Sequence, residues 1–284
     1  MTRIRLTCVL LLVLPSAARA GDFESGLKAL EKKDYTVAIT YFSACVRANP
    51  NDPAPYTFRG NAYVARGDYY RAFADYDLAI RLNPKDPLPY VNRGVAHQRK
   101  GDVGKAVADW TEAIRLDPKR ADAYVNRGNA YAGRRDYDRA VADFTQAIQL
   151  EPRNASAYNN RGLTHAGKGQ YDRAVADFTQ SSRLEPRNPL PSRNHAWLLA
   201  SCRQDGVRNG KKAVQLATKA CELSGWNEAA SLGTLAAAQA EAGSFPEAIR
   251  LERRALEVGY ANRGEAGKAQ QRLRLYEAGL PCRE

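Results

Sequence analysis

The chain repeats itself every 34 residues. YTFRG begins at Tyr56, YVNRG at Tyr90 and again at Tyr124, and YNNRG at Tyr158. A fixed stride of this length means that one small unit of structure is built over and over, each copy burying its apolar face against the next. Setting Tyr56 at position 4 of its repeat brings further columns into line. Position 8 is Gly26, Gly60, Gly94, Gly128 and Gly162. Position 20 is Ala38, Ala72, Ala106, Ala140 and Ala174, and position 32 is Pro50, Pro84, Pro118, Pro152 and Pro186. Position 24 is always a ring: Phe42, Tyr76, Trp110, Phe144 and Phe178.

Positions 4, 8 and 11 share one face of a first helix, and positions 20, 24, 27 and 28 share one face of a second. Large rings opposite small residues predict two helices in close approach. Asp52, Asp86, Asn154 and Asn188 at position 34 read as N-caps of the next first helix, with Pro53, Pro87 and Pro189 in the favoured place after them. Gly67, Gly101 and Gly169 close first helices, Asp68, Asp102 and Asp136 cap second ones, and the position 32 prolines stop them.

This set of columns resembles the tetratricopeptide repeat (TPR) family. The resemblance implies an all-α fold: an α-solenoid, a right-handed superhelix of TPR helix-turn-helix units with a C-terminal capping helix. It also implies a non-enzymatic scaffold that binds a protein partner in its concave groove. The expected organisation is a signal peptide over 1–20, five TPR units over 21–188, a divergent hairpin with a lengthened loop at Gln204–Gly210 over 189–228, a TPR unit over 229–262, and a capping helix and tail over 263–284.

Position 7 is Arg59, Arg93, Arg127 and Arg161, and position 23 is Asp75, Asp109, Asp143 and Asp177. An antiparallel hairpin brings these columns level, so repeating Arg–Asp pairs are expected, setting register more than adding stability. The candidate ligand-binding residues lie off the core stripe, on what the resemblance makes the concave side: Asn61, Asn92, Arg99, Asn126, Asn129, Asn159 and Asn160. Each amide offers donors and acceptors to an extended peptide backbone. A merely solvated polar face is the competing reading. TPR proteins that clamp a C-terminal carboxylate add basic residues at positions 5 and 9. Here those positions hold Thr57, Val91, Val125 and Asn159, and Asn61, Val95, Asn129 and Leu163.

No constellation for catalysis or for a metal or cofactor is expected. His97 and His165 occupy the position 11 ring slot two repeats apart, and His195 has no ligand partner at metal spacing. The stretch Gly206 to Lys212 is one residue short of a phosphate loop and lacks its Ser/Thr. Cys45 and Cys221 fall in small core slots, Cys202 lies beyond disulfide reach of Cys221, and Cys282 is either free or bridged to another chain.

Arg3 and Arg5 precede an apolar run from Leu6 to Leu14, and Ala18-Arg19-Ala20 follows as a cleavage signal, so export to the periplasm or outside the cell is expected. Removing this leader takes the formal charge from +12 to +9. With nucleic acid disfavoured by export, that charge fits an acidic protein or peptide partner, an anionic membrane face, or a basic solvated surface that only keeps the chain soluble. The alternative is a targeting subunit of a separate enzyme, or an adaptor for anionic envelope polymers.

Overall fold

The computed structural model describes residues 21–283; the signal segment expected over 1–20 lies outside them. The described chain is all helical apart from turns, one of which is a short 3-10 segment at Asp205–Val207. It falls into two compact units, one ending at Asn126 and the other beginning at Arg127.

The first unit contains α1 (Asp22–Glu31), α2 (Tyr35–Ala48), α3 (Pro53–Ala65), α4 (Tyr69–Leu82), α5 (Pro87–Lys100) and α6 (Val103–Leu116), followed by the start of α7 (Ala121–Gly133). The second continues from α7 with α8 (Tyr137–Leu150), α9 (Ala155–Gly167), α10 (Tyr171–Leu184), α11 (Pro189–Ser201), α12 (Gly210–Leu223), α13 (Ala229–Glu241), α14 (Phe245–Val258) and α15 (Arg263–Glu277). Within each unit the helices pair as consecutive hairpins, each packed on the next, as in a TPR solenoid.

The helix ends follow the sequence signals. Asp52, Asp86, Asn154 and Asn188 each accept a hydrogen bond from a backbone N–H of the first turn they cap. Asp68 and Asp136 do the same for second helices, but Asp102 makes no side-chain cap bond. Its carboxylate lies 3.7 Å from His97 Nδ1 instead. Second helices end at Ala48, Leu82, Leu116, Leu150 and Leu184, each two residues before the position 32 proline. Gly67, Gly101 and Gly169 close first helices in the left-handed region, at φ 79, 91 and 74.

The rings of position 24 form the core. Phe42, Tyr76, Trp110, Phe144 and Phe178 are essentially inaccessible to solvent, and each lies against the position 8 glycine of its own hairpin. A Cβ on Gly26, Gly60, Gly94, Gly128 or Gly162 would stand 2.6–2.9 Å from a ring atom, closer than van der Waals contact permits. Burying each ring contributes about 1.5–3 kcal/mol. Trp110 also donates from Nε1 to the Val91 carbonyl at 3.2 Å.

The Arg–Asp pairs close within each hairpin. Arg59 donates from Nε to Asp75 Oδ2 (2.8 Å) and from Nη2 to Oδ1 (2.7 Å). Arg93–Asp109, Arg127–Asp143 and Arg161–Asp177 repeat this two-pronged geometry. The remaining Nη1 reaches position 25 of the preceding hairpin: Ser43 from Arg59, Asp77 from Arg93 and Thr145 from Arg161. One guanidinium therefore ties its own hairpin together and sets its register on the neighbour. In α13 and α14 the same two positions are Leu235 and Leu251, both buried. Cation and anion have been replaced together, so neither is left buried without the other.

Two outcomes follow. Gly94→Ala forces Trp110 off its seat and should cost about 1–3 kcal/mol in denaturant unfolding. Arg59→Leu alone strands buried Asp75 and should cost about 3–5 kcal/mol, while the Arg59→Leu/Asp75→Leu double substitution recovers most of that loss. A double variant no more stable than the single one would refute the register-setting role.

Candidate functional site

In the first unit, α3 supplies Asn61 and α5 supplies Asn92 and Arg99 to one cavity of about 240 Å3, with Tyr76 and Val95 in its wall. Asn61 is held from below: the Tyr76 hydroxyl donates to its Oδ1 at 2.7 Å. The ring that fills the glycine notch thus also orients an amide at the surface. Arg99 is exposed at the end of α5, and Asn126 is half-buried on α7.

In the second unit, Asn129, Asn159 and Asn160 are bonded to one another and to a fourth amide. Asn194 Nδ2 donates to Asn159 Oδ1 (2.9 Å), Asn159 Nδ2 to Asn160 Oδ1 (3.2 Å), and Asn160 Nδ2 to Asn129 Oδ1 (2.9 Å). The chain of amides crosses α7, α9 and α11. Each bond uses one donor or one acceptor site, so every amide keeps capacity for a further hydrogen bond. These bonds hold the amides in fixed orientations.

Asn194 was legible in the stride and was missed. It stands 34 residues after Asn160, and Trp197 stands 34 after Leu163, even though other columns fray beyond Arg187. Trp197 divides two cavities. One, of about 540 Å3, is floored by Leu163, Phe178 and Leu198 and rimmed by Arg135 and Arg203. The other, of about 240 Å3, lies between Trp197, Tyr260, Arg193 and Arg272.

The second cavity rests on a buried ion cluster. Glu252 is wholly inaccessible and occupies position 24, where the first five repeats place a ring. Arg272 of α15 donates to its two carboxylate oxygens at 2.7 and 3.3 Å, and the Tyr260 hydroxyl donates to Oε1 at 2.9 Å. Burial pushes the Glu252 carboxyl up, and these donors work against that shift. The Arg272 guanidinium lies over Trp197 at 5.4 Å and over Tyr260 at 5.9 Å. Arg193 is held by Glu228 at 2.5 Å. The cluster is satisfied internally, and its guanidinium packs on Trp197.

His195 takes position 7, the arginine column of the earlier repeats, and is 7% exposed. Burial, with the charge of Lys212 second, pulls its pKa down to about 4. His97 stacks on Phe73 at 4.4 Å, and His165 Nδ1 meets Gln170 Oε1 at 2.7 Å. Among the described residues no group of three His, Cys, Asp or Glu side chains is placed to hold a metal, and no helix is long and apolar enough to cross a membrane. Cys45, Cys202 and Cys221 are buried thiols, with Cys221 pushed up to about 12 by burial, and Cys282 is buried against the Tyr276 hydroxyl.

Comparison with known proteins agrees with this geometry. A family model described as TPR repeat matches residues 60–101 and 98–133, and models described as tetratricopeptide repeat match 121–154 and 144–176. Residues 60–176 are thus tetratricopeptide repeats. No curated protein matches its sequence. Among solved structures it is similar to PilF of Pseudomonas aeruginosa, with a TM-score of 0.64, 21% identity and coverage of 77% of this chain and 96% of that one. A TPR protein of Parabacteroides merdae gives a TM-score of 0.61 at 18% identity over 90% of this chain and 97% of that one. YrrB, described as a TPR protein with an unusual peptide-binding site, gives 0.51 at 19% over 69% and 97%. At these identities the likeness is one of fold. The TPR fold is generally a non-catalytic scaffold for protein partners.

The depressed His195 pKa has a thermodynamic consequence. The unfolded chain takes up a proton near pH 6.5, while the folded chain resists until about pH 4. Stability present above pH 6.5 is therefore lost progressively as pH falls towards 4, by about 2–3 kcal/mol at about pH 4.5. Urea unfolding at neutral pH and near 4.5 should show this loss in the wild type, and His195→Leu should remove that part of it. An imidazole that titrates near 6.5 by NMR would contradict the buried neutral ring.

Proposed function

We propose that this protein is a non-enzymatic adaptor that holds an extended segment of a protein partner against the asparagine-bearing faces of its first helices. The observation that carries the reading is the hydrogen-bonded series Asn194, Asn159, Asn160 and Asn129. Amides set in a row across successive helices offer alternating donors and acceptors, which suits the repeating N–H and C=O groups of an extended chain. Contacts repeated from helix to helix add up through multivalency, so no single one need be strong. The basic surface speeds encounter with an acidic partner.

The place of action we propose is the periplasm or the cell exterior. The support is the leader-like sequence of the first twenty residues, with its Arg3 and Arg5, apolar run and Ala18-Arg19-Ala20 end.

Affinity capture from the source cells tests the reading, with the wild-type chain compared with an Asn129→Ala/Asn160→Ala/Asn194→Ala variant of matched melting temperature. The partner should be recovered at least about tenfold less well by the variant. Equal recovery would remove the amide row from the mechanism. Fractionation of cells with and without residues 1–20 should show the chain outside the cytoplasm only when they are present.

A further inference from the structure

The cavity floored by Leu163 has a chemistry more specific than the amide row beside it. Leu163, on a first helix, is 47% exposed and lines this cavity. Phe178, Leu198 and Trp197 complete an apolar floor. Its volume, about 540 Å3, falls within the range of ligand clefts. Arg135 and Arg203 stand at its rim and no carboxylate lines it. Among the described residues neither guanidinium has a carboxylate partner. This sets them apart from Arg127, Arg161, Arg193 and Arg208, which are all paired.

Arg135 is held at the rim by an unfavourable backbone. It sits at φ 61, in the left-handed region, at the turn position where Gly67, Gly101 and Gly169 stand in other repeats. Lys33 is the other non-glycine residue with positive φ at this place. A side chain there costs backbone energy that glycine avoids. Such strain coincides here with an unpaired cation over an apolar cup.

Building on the reading of the amide row as a peptide-binding face, we propose that this cavity takes a large apolar or aromatic side chain of the partner segment flanked by an aspartate or glutamate, the ring or aliphatic group seated on Leu163 and Trp197 and the carboxylate between Arg135 and Arg203. Apolar burial supplies the affinity, and the two guanidiniums reject basic and neutral flanks. The adjoining amides of Asn159, Asn160 and Asn194 hold the backbone on either side.

Fluorescence anisotropy on the full chain tests this with four labelled nonapeptides of one design. The first has a central Phe between two Asp residues; in the others the flanks are Lys, the flanks are Asn, or the centre is Ala with Asp retained. The first peptide should bind at least about tenfold tighter than each of the others. Arg135→Gly should weaken it about threefold while leaving the melting temperature equal or higher, because it relieves the turn. Adding Arg203→Ser should bring the loss to about tenfold. Binding of the Lys-flanked peptide as tight as that of the Asp-flanked one overturns the proposal. So does binding that the arginine substitutions leave unchanged; if Asn160→Ala still abolishes it, the amide-row reading survives and only the acidic–aromatic specificity falls. Failure of all four peptides to bind also overturns the proposed chemistry, while partner capture by the amide row is judged by its own variant.

Discussion

The regular part of this fold depends on a ring entering a notch. In each of the first five repeats a glycine on the first helix removes one Cβ, and the aromatic residue of the second helix occupies the space. The approach is so close that even alanine collides with the ring. This contact determines how near the two helices lie, and hence which of their faces remain outside. Residues next to the glycine, such as Asn61 and Asn129 just after Gly60 and Gly128, are carried to the exposed side as a consequence. Tyr76 joins the two roles directly, because its ring fills the notch while its hydroxyl orients Asn61.

The Arg–Asp pairs solve a different problem, that of register. A greasy notch tolerates rotation, whereas a two-pronged guanidinium–carboxylate contact does not. The later hairpins show that the pair is exchangeable as a unit. Leu235 and Leu251 replace both members, and in the preceding hairpin His195 and Leu216 do so. His195, uncharged in its buried site, leaves no stranded ion behind. Glu252 inverts the logic: a carboxylate stands where a ring belongs, made tolerable by Arg272 and Tyr260 from elements further along the chain. That exchange also brings Arg272 over Trp197 and so stiffens the wall between two cavities.

A scaffold of this kind recognises its partner through what the notches leave uncovered. In the second unit these are bonded amides, an exposed leucine, a braced tryptophan and two unpaired arginines. On the proposed reading, amides would supply tolerance for any backbone, and the apolar cup with its cationic rim would supply choice among side chains. The division of labour follows from position: amides lie along the helix faces, while Arg135 and Arg203 come from turns, where side chains can lean over a cavity without disturbing the core.

The 34-residue stride was enough to read the helix pairs, their caps, the ring and glycine columns and the Arg–Asp pairing, because each depends on contacts within one hairpin or with its neighbour. Local spacing encodes such contacts. The same stride named Asn129, Asn159 and Asn160 as surface residues but not that they bond to each other, nor that Asn159 is buried, since both depend on the packing of side chains between adjacent repeats. It also carried Asn194 and Trp197, hidden by the loss of the tyrosine and arginine columns around them. Glu252 with Arg272, and the cup beneath Arg135 and Arg203, were beyond sequence reading altogether. Their members come from three or more helices, and only packing in three dimensions decides which side chains far apart in the chain share a wall, a charge or a cavity.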